Sequence, residues 1–223
     1  MKIYFQGDID VTEKTQTVEE VYETLKKRII SLEYSPGQVL NEADIANEFE
    51  LSRTPVRKIF EQLKNKKLLN IIPRYGAQVA TIDFRYMKSV FEVVRELEGY
   101  ATRLAAERIP EERIPDLLSI VERIKQCNIE TDYKTIITED EKFHEIVIQA
   151  SDNPALVDIL LDLHMHTERL WFYSQKDLVN LSLFHETLAN IIEALRQRDV
   201  WKADSCAKEH IDDFVALIKR ELL

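Results

Sequence analysis

The sequence predicts a mainly α-helical protein: an N-terminal winged helix-turn-helix, with three helices and a β-hairpin wing, followed by an all-α helical bundle. The 223 residues include only 4 Gly and 6 Pro, and chains so poor in helix-breaking residues are mostly helical. Apolar residues recur at helical spacing along most of the chain, whereas β-like runs are confined to residues 68–82. We therefore expect domains at 8–82 and 83–223, leaving out residues 1–7 because Tyr4-Phe5-Gln6-Gly7 resembles a protease-site remnant.

Capping signals divide the first domain into helices. Thr17 followed by Glu20 forms a capping box, and apolar residues at helical spacing then predict a first helix that ends before residues 35–37. Asn41 is expected to cap a short second helix, and Ser52 a third, with a proline tolerated in its first turn. Two short helices joined by a tight turn are typical of a helix-turn-helix.

The third helix carries two distinct stripes of side chains. At about 100° per residue, one stripe is apolar and the other is basic, about a quarter turn away. The apolar stripe consists of Val56, Ile59, Phe60 and Leu63, and the basic stripe of Arg53, Arg57 and Lys64. We expect the first stripe to pack and the second to reach outward.

Two β-like runs follow this helix around a glycine turn. Residues 68–73 and 77–82 flank Arg74-Tyr75-Gly76, which predicts a hairpin wing with Arg74 at its tip. In such a fold the third helix enters the major groove of DNA, and the wing reaches phosphates or the minor groove.

Charge is segregated along the chain. Residues 51–80 hold seven basic side chains and one acidic side chain, although the whole chain has a net charge of −10. Residues 1–80 are balanced, with 12 basic and 12 acidic side chains, so residues 81–223 carry the entire deficit. A polyanion would be attracted to one patch of the first domain and repelled by the second. The predicted contacts to double-stranded DNA are Ser52, Arg53, Thr54, Arg57, Lys64, Arg74, Tyr75 and Gly76.

Residues 18–80 resemble the winged-helix domain of GntR-family transcriptional regulators. The resemblance rests on Pro36-Gly37, Ile45-Ala46, the run Ser52-Arg53-Thr54-Pro55-Val56-Arg57, and Pro73-Arg74-Tyr75-Gly76. It implies a dimeric regulator on a DNA operator of two-fold symmetry. Two departures stand out: Glu50 replaces the usual Gly before the third helix, and Lys58-Ile59-Phe60 replaces the usual Glu-Ala-Leu.

The second domain is predicted to consist of helices with few breaks between them. Asp83 is expected to cap a long helix, and Asn153-Pro154 to begin another. The later helices are predicted at 111–128, 133–150, 154–174, 180–198 and 200–222. Because this region shows no βαβ pattern, no glycine-rich phosphate loop and no internal repeat, we expect an all-α bundle.

Four residues of this domain form a candidate metal site. Asp140 and His144 are four residues apart on one helix, a spacing that can chelate a metal ion. His185 and His210 each lie among apolar residues, so both are expected to point toward the core. A single histidine on an apolar stripe is more often a hydrogen-bonded core residue, but these four together favour a site. His164 and His166 are two residues apart, face different sides of a helix, and are interpreted as structural.

The same region is similar to the effector-binding FCD domain of the FadR subfamily. The resemblance implies a divalent transition metal ion, Zn or Ni, with coordination positions left open for a small organic acid effector. Asp140, His144 and His210 match the family's ligands, whereas the third ligand normally falls on Leu188, about one turn after His185. The family's effector-contacting arginine aligns with Val94, which makes the adjacent Arg95 a candidate effector contact.

Two alternatives remain open at this stage. A metal-free regulator would use the histidines as a polar network, and a metal-dependent enzyme would use an open metal site for catalysis. The enzyme ranks below the regulators because no nucleophile or general base stands at a recognisable spacing beside the ligands. No apolar run is long enough to cross a bilayer, so we expect a cytoplasmic protein without a membrane partner, with Cys127 and Cys206 reduced.

Overall fold

The computed structural model describes residues 16–174 and 182–222. Residues 8–15 of the predicted first domain and 180–181 of a predicted helix lie outside the described residues. The chain divides into two compact units: one contains α1 as far as Lys27 together with Gly37–Ala80, and the other contains Arg28–Pro36 and the chain from Thr81 onward. The predicted domains at 8–82 and 83–223 stay a prediction.

The predicted winged helix-turn-helix is confirmed. Its helices and strands are α1 (Val18–Ile30), β1 (Val39–Leu40), α2 (Glu42–Glu48), α3 (Arg53–Asn65), β2 (Leu69–Ile72) and β3 (Gly76–Val79). The strands form an antiparallel sheet in the order β1-β3-β2, with Leu69 opposite Val79 and Val39 opposite Gln78. The sequence did not predict β1, because two residues are too short to display the alternation of a strand.

Local hydrogen bonds explain where these helices begin. Thr17 and Glu20 form the predicted capping box, with the Thr17 amide donating to Glu20 Oε2 at 2.7 Å and the Glu20 amide donating to Thr17 Oγ1 at 3.2 Å. Asn41 Oδ1 accepts from the Ala43 amide at 2.7 Å. Ser52 occupies the N-cap position of α3, but its side chain makes no capping hydrogen bond. Pro55, at the third helical position, has no amide hydrogen, so one of the two usual donors to such a cap is absent.

Left-handed backbone occurs at Gly76 in the wing and at Glu50 before α3. Gly76 has φ +126°, and a Cβ there would lie 2.2 Å from the Leu40 carbonyl oxygen, so only glycine allows β1 to approach the wing. Glu50, before α3, has φ +53°. The usual glycine of the family is therefore the residue that this backbone conformation favours, and the chain carries some strain there.

The second unit is an all-α bundle in which α4 is central. Its helices are α4 (Phe84–Arg108), α5 (Ile114–Gln126), α6 (Ile129–Ala150), α7 (Pro154–Ser174), α8 (Ser182–Arg196) and α9 (Val200–Leu222). Helix α4 packs most extensively along α9 and also contacts α6, α7 and α8. Asp83 caps α4 as predicted, accepting from the amides of Arg85 and Tyr86 at 2.9 and 3.1 Å. In the described ranges no helix is long and apolar enough to span a bilayer.

Helix α6 begins earlier than predicted. Asn128 caps it through a 2.9 Å hydrogen bond from the Glu130 amide, and a kink at Asp132 (φ −110°, ψ 15°) precedes the straight segment that the sequence predicted at 133–150. The Asp132 carboxylate accepts from the Asn128 amide at 2.9 Å. This straight segment presents Asp140 and His144 to the interior beside α4 and α9.

Candidate metal centre and nucleic-acid interface

The two predicted stripes of α3 are confirmed by burial. Val56, Ile59, Phe60 and Leu63 are buried, whereas Arg53, Arg57 and Lys64 are exposed. Glu42, the first residue of α2, accepts a hydrogen bond from Arg57 Nε at 2.7 Å. The basic stripe is thus available to a ligand, and one of its members is already oriented by a carboxylate.

The wing carries its predicted residues at an exposed tip. Arg74 is exposed, with φ +72°, and the Tyr75 side chain is 72% exposed, while Gly76 is buried against β1. A large aromatic side chain left in solvent next to a cation is suited to contacting a nucleic acid backbone or groove.

Three of the four predicted metal ligands come together in the bundle. Asp140 and His144 lie on α6 and His210 lies on α9, and one ligand atom from each lies within 4.8 Å of the others. His144 Nε2 is 3.2 Å from His210 Nε2 and 3.5 Å from Asp140 Oδ2. All three residues are buried, so the group faces an interior chamber rather than solvent.

The outer nitrogens of both histidines have their own partners. His144 Nδ1 lies 2.9 Å from Glu98 Oε2, and because a carboxylate only accepts, the proton sits on Nδ1. His210 Nδ1 lies 2.7 Å from Thr187 Oγ1, which can accept in the same way. When His144 is neutral, both Nε2 lone pairs point at each other, and a proton or a metal ion between them is stabilising. Outer partners of this kind orient histidine ligands in metal sites.

One atom of the group is a buried acceptor without a donor. Within the part of the chain that the structure describes, Asp140 Oδ1 has no hydrogen-bond partner, although it is buried. This oxygen lies 3.9 Å from His210 Nε2. An orphaned carboxylate oxygen beside two imidazole nitrogens fits a metal ion of the Zn or Ni type.

Electrostatics differ between the two histidines. Burial lowers the pKa of His210 to about 4, although Asp140 opposes this shift, so its imidazole is neutral near pH 7. Burial also disfavours the charged form of His144, but the facing carboxylates of Glu98 and Asp140 raise its pKa well above the usual value. A proton on His144 therefore occupies the place that a metal ion would take.

The structure does not bring His185 into this group. His185 is half-buried near the start of α8, and the group of described ligand atoms comprises Asp140, His144 and His210. The α8 side chain that reaches His210 is Thr187. The role of His185 as a ligand stays a prediction.

Sequence reasoning missed two residues of the chamber. Glu98 is buried on α4, and its second oxygen lies 2.6 Å from Nε2 of His164, which was interpreted as structural. His164 also lies 3.8 Å from Glu141 through Nδ1. A signal for Glu98 was present: it lies four residues after Val94 and three before Ala101, on the apolar stripe of α4. His166 instead meets the Tyr86 ring edge-on, with centroids 5.4 Å apart.

Arg95 lies outside the chamber. Its guanidinium donates to Asp212 through Nε at 2.7 Å and through a terminal nitrogen at 2.9 Å, and it also contacts Glu96. It lines a separate groove of about 230 Å³ between α4 and α9. The one-residue offset from Val94 turns the side chain by about 100° around the helix, which explains why Arg95 faces away from the ligands.

The chamber is small, acidic and closed by aromatic rings. Its volume is about 30 Å³, enough for an ion with one or two water molecules by the usual ~10–15 Å³ per water centre. Trp171 and Phe91 flank Phe214, with ring centroids 5.2 and 5.7 Å from it. Three carboxylates line the chamber, Glu98, Asp140 and Glu141, and none of its described lining residues is Lys or Arg.

The fold agrees with the comparisons to known proteins. The FCD domain family matches residues 89–213, and the family described as "Bacterial regulatory proteins, gntR family" matches residues 17–79. The chain belongs to the GntR family of bacterial transcriptional regulators and carries a C-terminal FCD domain. It is a DNA-binding transcriptional regulator with an effector domain.

Individual relatives are similar along most of the chain. The HTH-type transcriptional repressor RspR of Escherichia coli K12 is 23% identical over 210 residues, covering 92% of this chain and 91% of RspR. The gluconate operon transcriptional repressor of Bacillus subtilis is 30% identical over 140 residues, covering 63% and 57%. The solved structure of E. coli McbR/YncC has a TM-score of 0.79 at 22% identity, covering 92% of this chain and 98% of that chain, and shares its fold. These families and relatives are regulators, not enzymes.

Proposed function

We propose that this regulator is a homodimer whose operator affinity is controlled by a small carboxylate bound at a divalent transition metal ion in the FCD domain. Asp140, His144 and His210 would hold the ion, with His185 proposed as a further ligand from α8. The convergence of these three buried groups around the orphaned Asp140 oxygen carries the proposal. Neutral imidazoles and an ionised aspartate suit Zn or Ni.

The charge of the chamber favours a metal ion as the anchor for an acidic effector. Glu98, Asp140 and Glu141 line the chamber without a lysine or arginine among its described lining residues. Burial raises the pKa of Glu141, and a proton on His144 offsets part of the remaining negative charge. A free carboxylate still meets no fixed cation there, whereas a bound divalent ion supplies one. We therefore expect carboxylates to bind the metal-loaded protein and not the metal-free protein.

Effector binding must also enlarge the chamber. Because about 30 Å³ cannot accommodate an organic acid, one side of it has to open, and the packed rings of Trp171, Phe91 and Phe214 form an apolar part of that wall. An effector that binds only the opened arrangement shifts the population toward it. Operator affinity then changes by the difference in effector affinity between the two arrangements.

The operator is proposed to have two-fold symmetry. A homodimer places one α3 in each of two major-groove segments, whose centres lie about 34–36 Å apart, one helical turn, or a multiple of this. Light scattering after size exclusion checks the dimer: a mass of about twice the 26.2 kDa chain is expected, and a monomeric mass at operator-binding concentrations would contradict it.

Element analysis of protein purified without a His tag tests the metal site. About one equivalent of a divalent transition ion per chain is expected, retained after dialysis and removed by a strong chelator. The stripped and reloaded proteins are then titrated with mono-, di- and tricarboxylates. In W201F, Trp171 is the remaining tryptophan of the two in the chain, so its fluorescence reports on the chamber. Equal carboxylate responses with and without metal would contradict the proposal.

A metal-free regulator is the second candidate, and one observation favours it. Polar contacts of 2.6–3.2 Å form a continuous chain through Thr187, His210, His144, Glu98 and His164. Such a network can stabilise the chamber by itself. Protein that binds no transition ion, yet changes operator affinity with a small molecule, would establish this candidate and exclude the first.

A further inference from the structure

We propose that Glu42 is a specificity-determining positioning residue, which holds Arg57 so that its two terminal amino groups face a guanine in the major groove. The proposal rests on the assignment of α3 as the DNA-reading helix. It adds to that assignment an acidic residue of α2, whose charge is repelled by DNA phosphates.

The contact between the two residues is a short, charge-assisted hydrogen bond. Arg57 Nε donates to Glu42 Oε2 at 2.7 Å. The Arg57 side chain is 66% exposed, whereas that of Glu42 is 24% exposed. The carboxylate is thus the sheltered partner, fixed near the surface, and the guanidinium is the partner that reaches into solvent.

The choice of nitrogen decides what Arg57 can still do. A guanidinium has five N–H donors in a fixed plane, and only one of them is on Nε. With Nε engaged by Glu42, the two terminal nitrogens remain in one plane at the far end of the side chain. This is the pair that donates to O6 and N7 of guanine, the most common specific contact of arginine with DNA.

Glu42 is itself held in place by its helix. It follows the N-cap Asn41, whose side chain accepts from the Ala43 amide at 2.7 Å, and an acidic residue in the first turn is stabilised by the helix dipole. The next turn of α2 is anchored by buried Ile45 and Ala46. The position of the carboxylate therefore follows from the packing of α2 against α3.

A flexible arginine at this place would lose specificity. Arg side chains carry several rotatable bonds, and an unrestrained guanidinium can pair with phosphates, which carry no sequence information. Restraint by Glu42 before binding reduces the entropy lost on reading a base. The same carboxylate repels phosphates, so it lowers affinity for DNA of any sequence.

These two effects have opposite signs, which makes the role of Glu42 testable. If Glu42 only adds negative charge, E42Q strengthens binding to every duplex. If it positions Arg57, E42Q weakens binding to the operator relative to a scrambled duplex. Glu61 offers a matched control, because it is the one acidic residue of α3 and pairs with Lys64 at 3.0 Å, on the same helix as Arg57.

The experiment measures dissociation constants for a selected operator and a scrambled duplex at one salt concentration, with base preferences from a randomised selection. Wild type, E42Q, E42D, E61Q, R57A and the E42Q/R57A double variant are compared, and their melting temperatures check folding. We expect E42Q to reduce discrimination about tenfold, within the range of one guanine contact. E42D, which keeps the charge but is one methylene shorter, should reduce it as well. The double variant should lose no more discrimination between the two duplexes than R57A does.

The outcomes separate this inference from the function on which it rests. E61Q is expected to increase the affinity for both duplexes by the same factor and to retain all base preferences. If E42Q does the same, Glu42 is only a surface charge and the inference is overturned. If R57A retains the wild-type base preference, the inference fails while DNA reading by α3 stands. Wild-type protein without any sequence preference would instead refute the assignment of α3.

Discussion

Glu98 holds His144 by a 2.9 Å hydrogen bond between Oε2 and Nδ1, joining the central helix α4 to α6, the helix that carries the proposed ligands Asp140 and His144. Both side chains are buried. Burial alone would disfavour a charge on Glu98, but His144 and His164 lower the pKa of its carboxyl group below the usual value, so it is ionised. An ionised carboxylate behind a histidine ligand fixes the ring and increases its basicity.

Replacing Glu98 tests this role without removing a ligand. We expect E98Q to lower metal affinity by about 10–100-fold, as for other outer partners of metal-bound histidines. Competition with a chromophoric chelator measures the change. Glu96 on the same helix is exposed and pairs with Arg95 and Lys208, so E96Q is the matched control and should retain wild-type affinity. An E98Q variant with unchanged affinity would show that His144 needs no such support.

The ligands themselves should differ in importance. H144A and H210A are expected to abolish metal retention and to lose the metal-dependent rise in melting temperature, because each removes one of three converging groups. H185A should weaken retention without abolishing it, since those three groups remain. Element analysis and melting curves with and without metal measure both effects. H166A, outside the chamber, is the control, and full metal occupancy in H144A would remove His144 from the site.

The strained backbone at Glu50 predicts a stabilising substitution. Glu50 has φ +53°, a conformation that costs non-glycine residues about 1–2 kcal/mol. A glycine would relieve this strain, but its greater conformational freedom in the unfolded chain offsets part of the gain. E50G should therefore raise the free energy of unfolding by about 0.5–1 kcal/mol, measured by urea denaturation. E50A removes the carboxylate but keeps a Cβ, so it should give no comparable gain. Equal stabilisation by E50A would indicate a charge effect instead.

Arg53 should contribute to operator binding through base contacts. It is exposed at the first position of α3, where residues of a reading helix meet base edges. R53A is expected to weaken operator binding by about 1–3 kcal/mol while changing affinity for scrambled DNA much less. Titration of both duplexes at fixed salt measures this. Equal losses of affinity for the operator and for scrambled DNA would indicate that Arg53 contacts a phosphate instead of a base.

The first domain could be predicted closely because its signals are local. Caps, a glycine turn and the two stripes of α3 each depend on residues within a few positions of one another, and the structure confirms the elements they predicted. The exceptions are instructive. The short β1 depends on its partner β3 rather than on its own pattern, and Ser52 makes no side-chain capping bond although it occupies the N-cap position of α3.

The chamber was harder to predict because it depends on contacts between distant helices. Asp140 and His144 share one helix and could be paired from their spacing, whereas Glu98 and His164 meet across 66 positions of sequence (98 to 164) through a 2.6 Å contact. The apolar periodicity of α4 or α7 does not predict which residues of the two helices come into contact. Likewise, α8 presents Thr187 to His210, a partner that a search for metal-ligand residue types passes over.

The most direct test of the account is a randomised-duplex selection with tag-free protein, carried out on wild type and on a variant lacking both Arg53 and Arg57. The account predicts that wild type selects a two-fold symmetric sequence with guanine in each half-site, and that the variant loses this preference while still binding DNA weakly at low salt. Recovery of no preferred sequence by wild type, or of the same sequence by the variant, would contradict it.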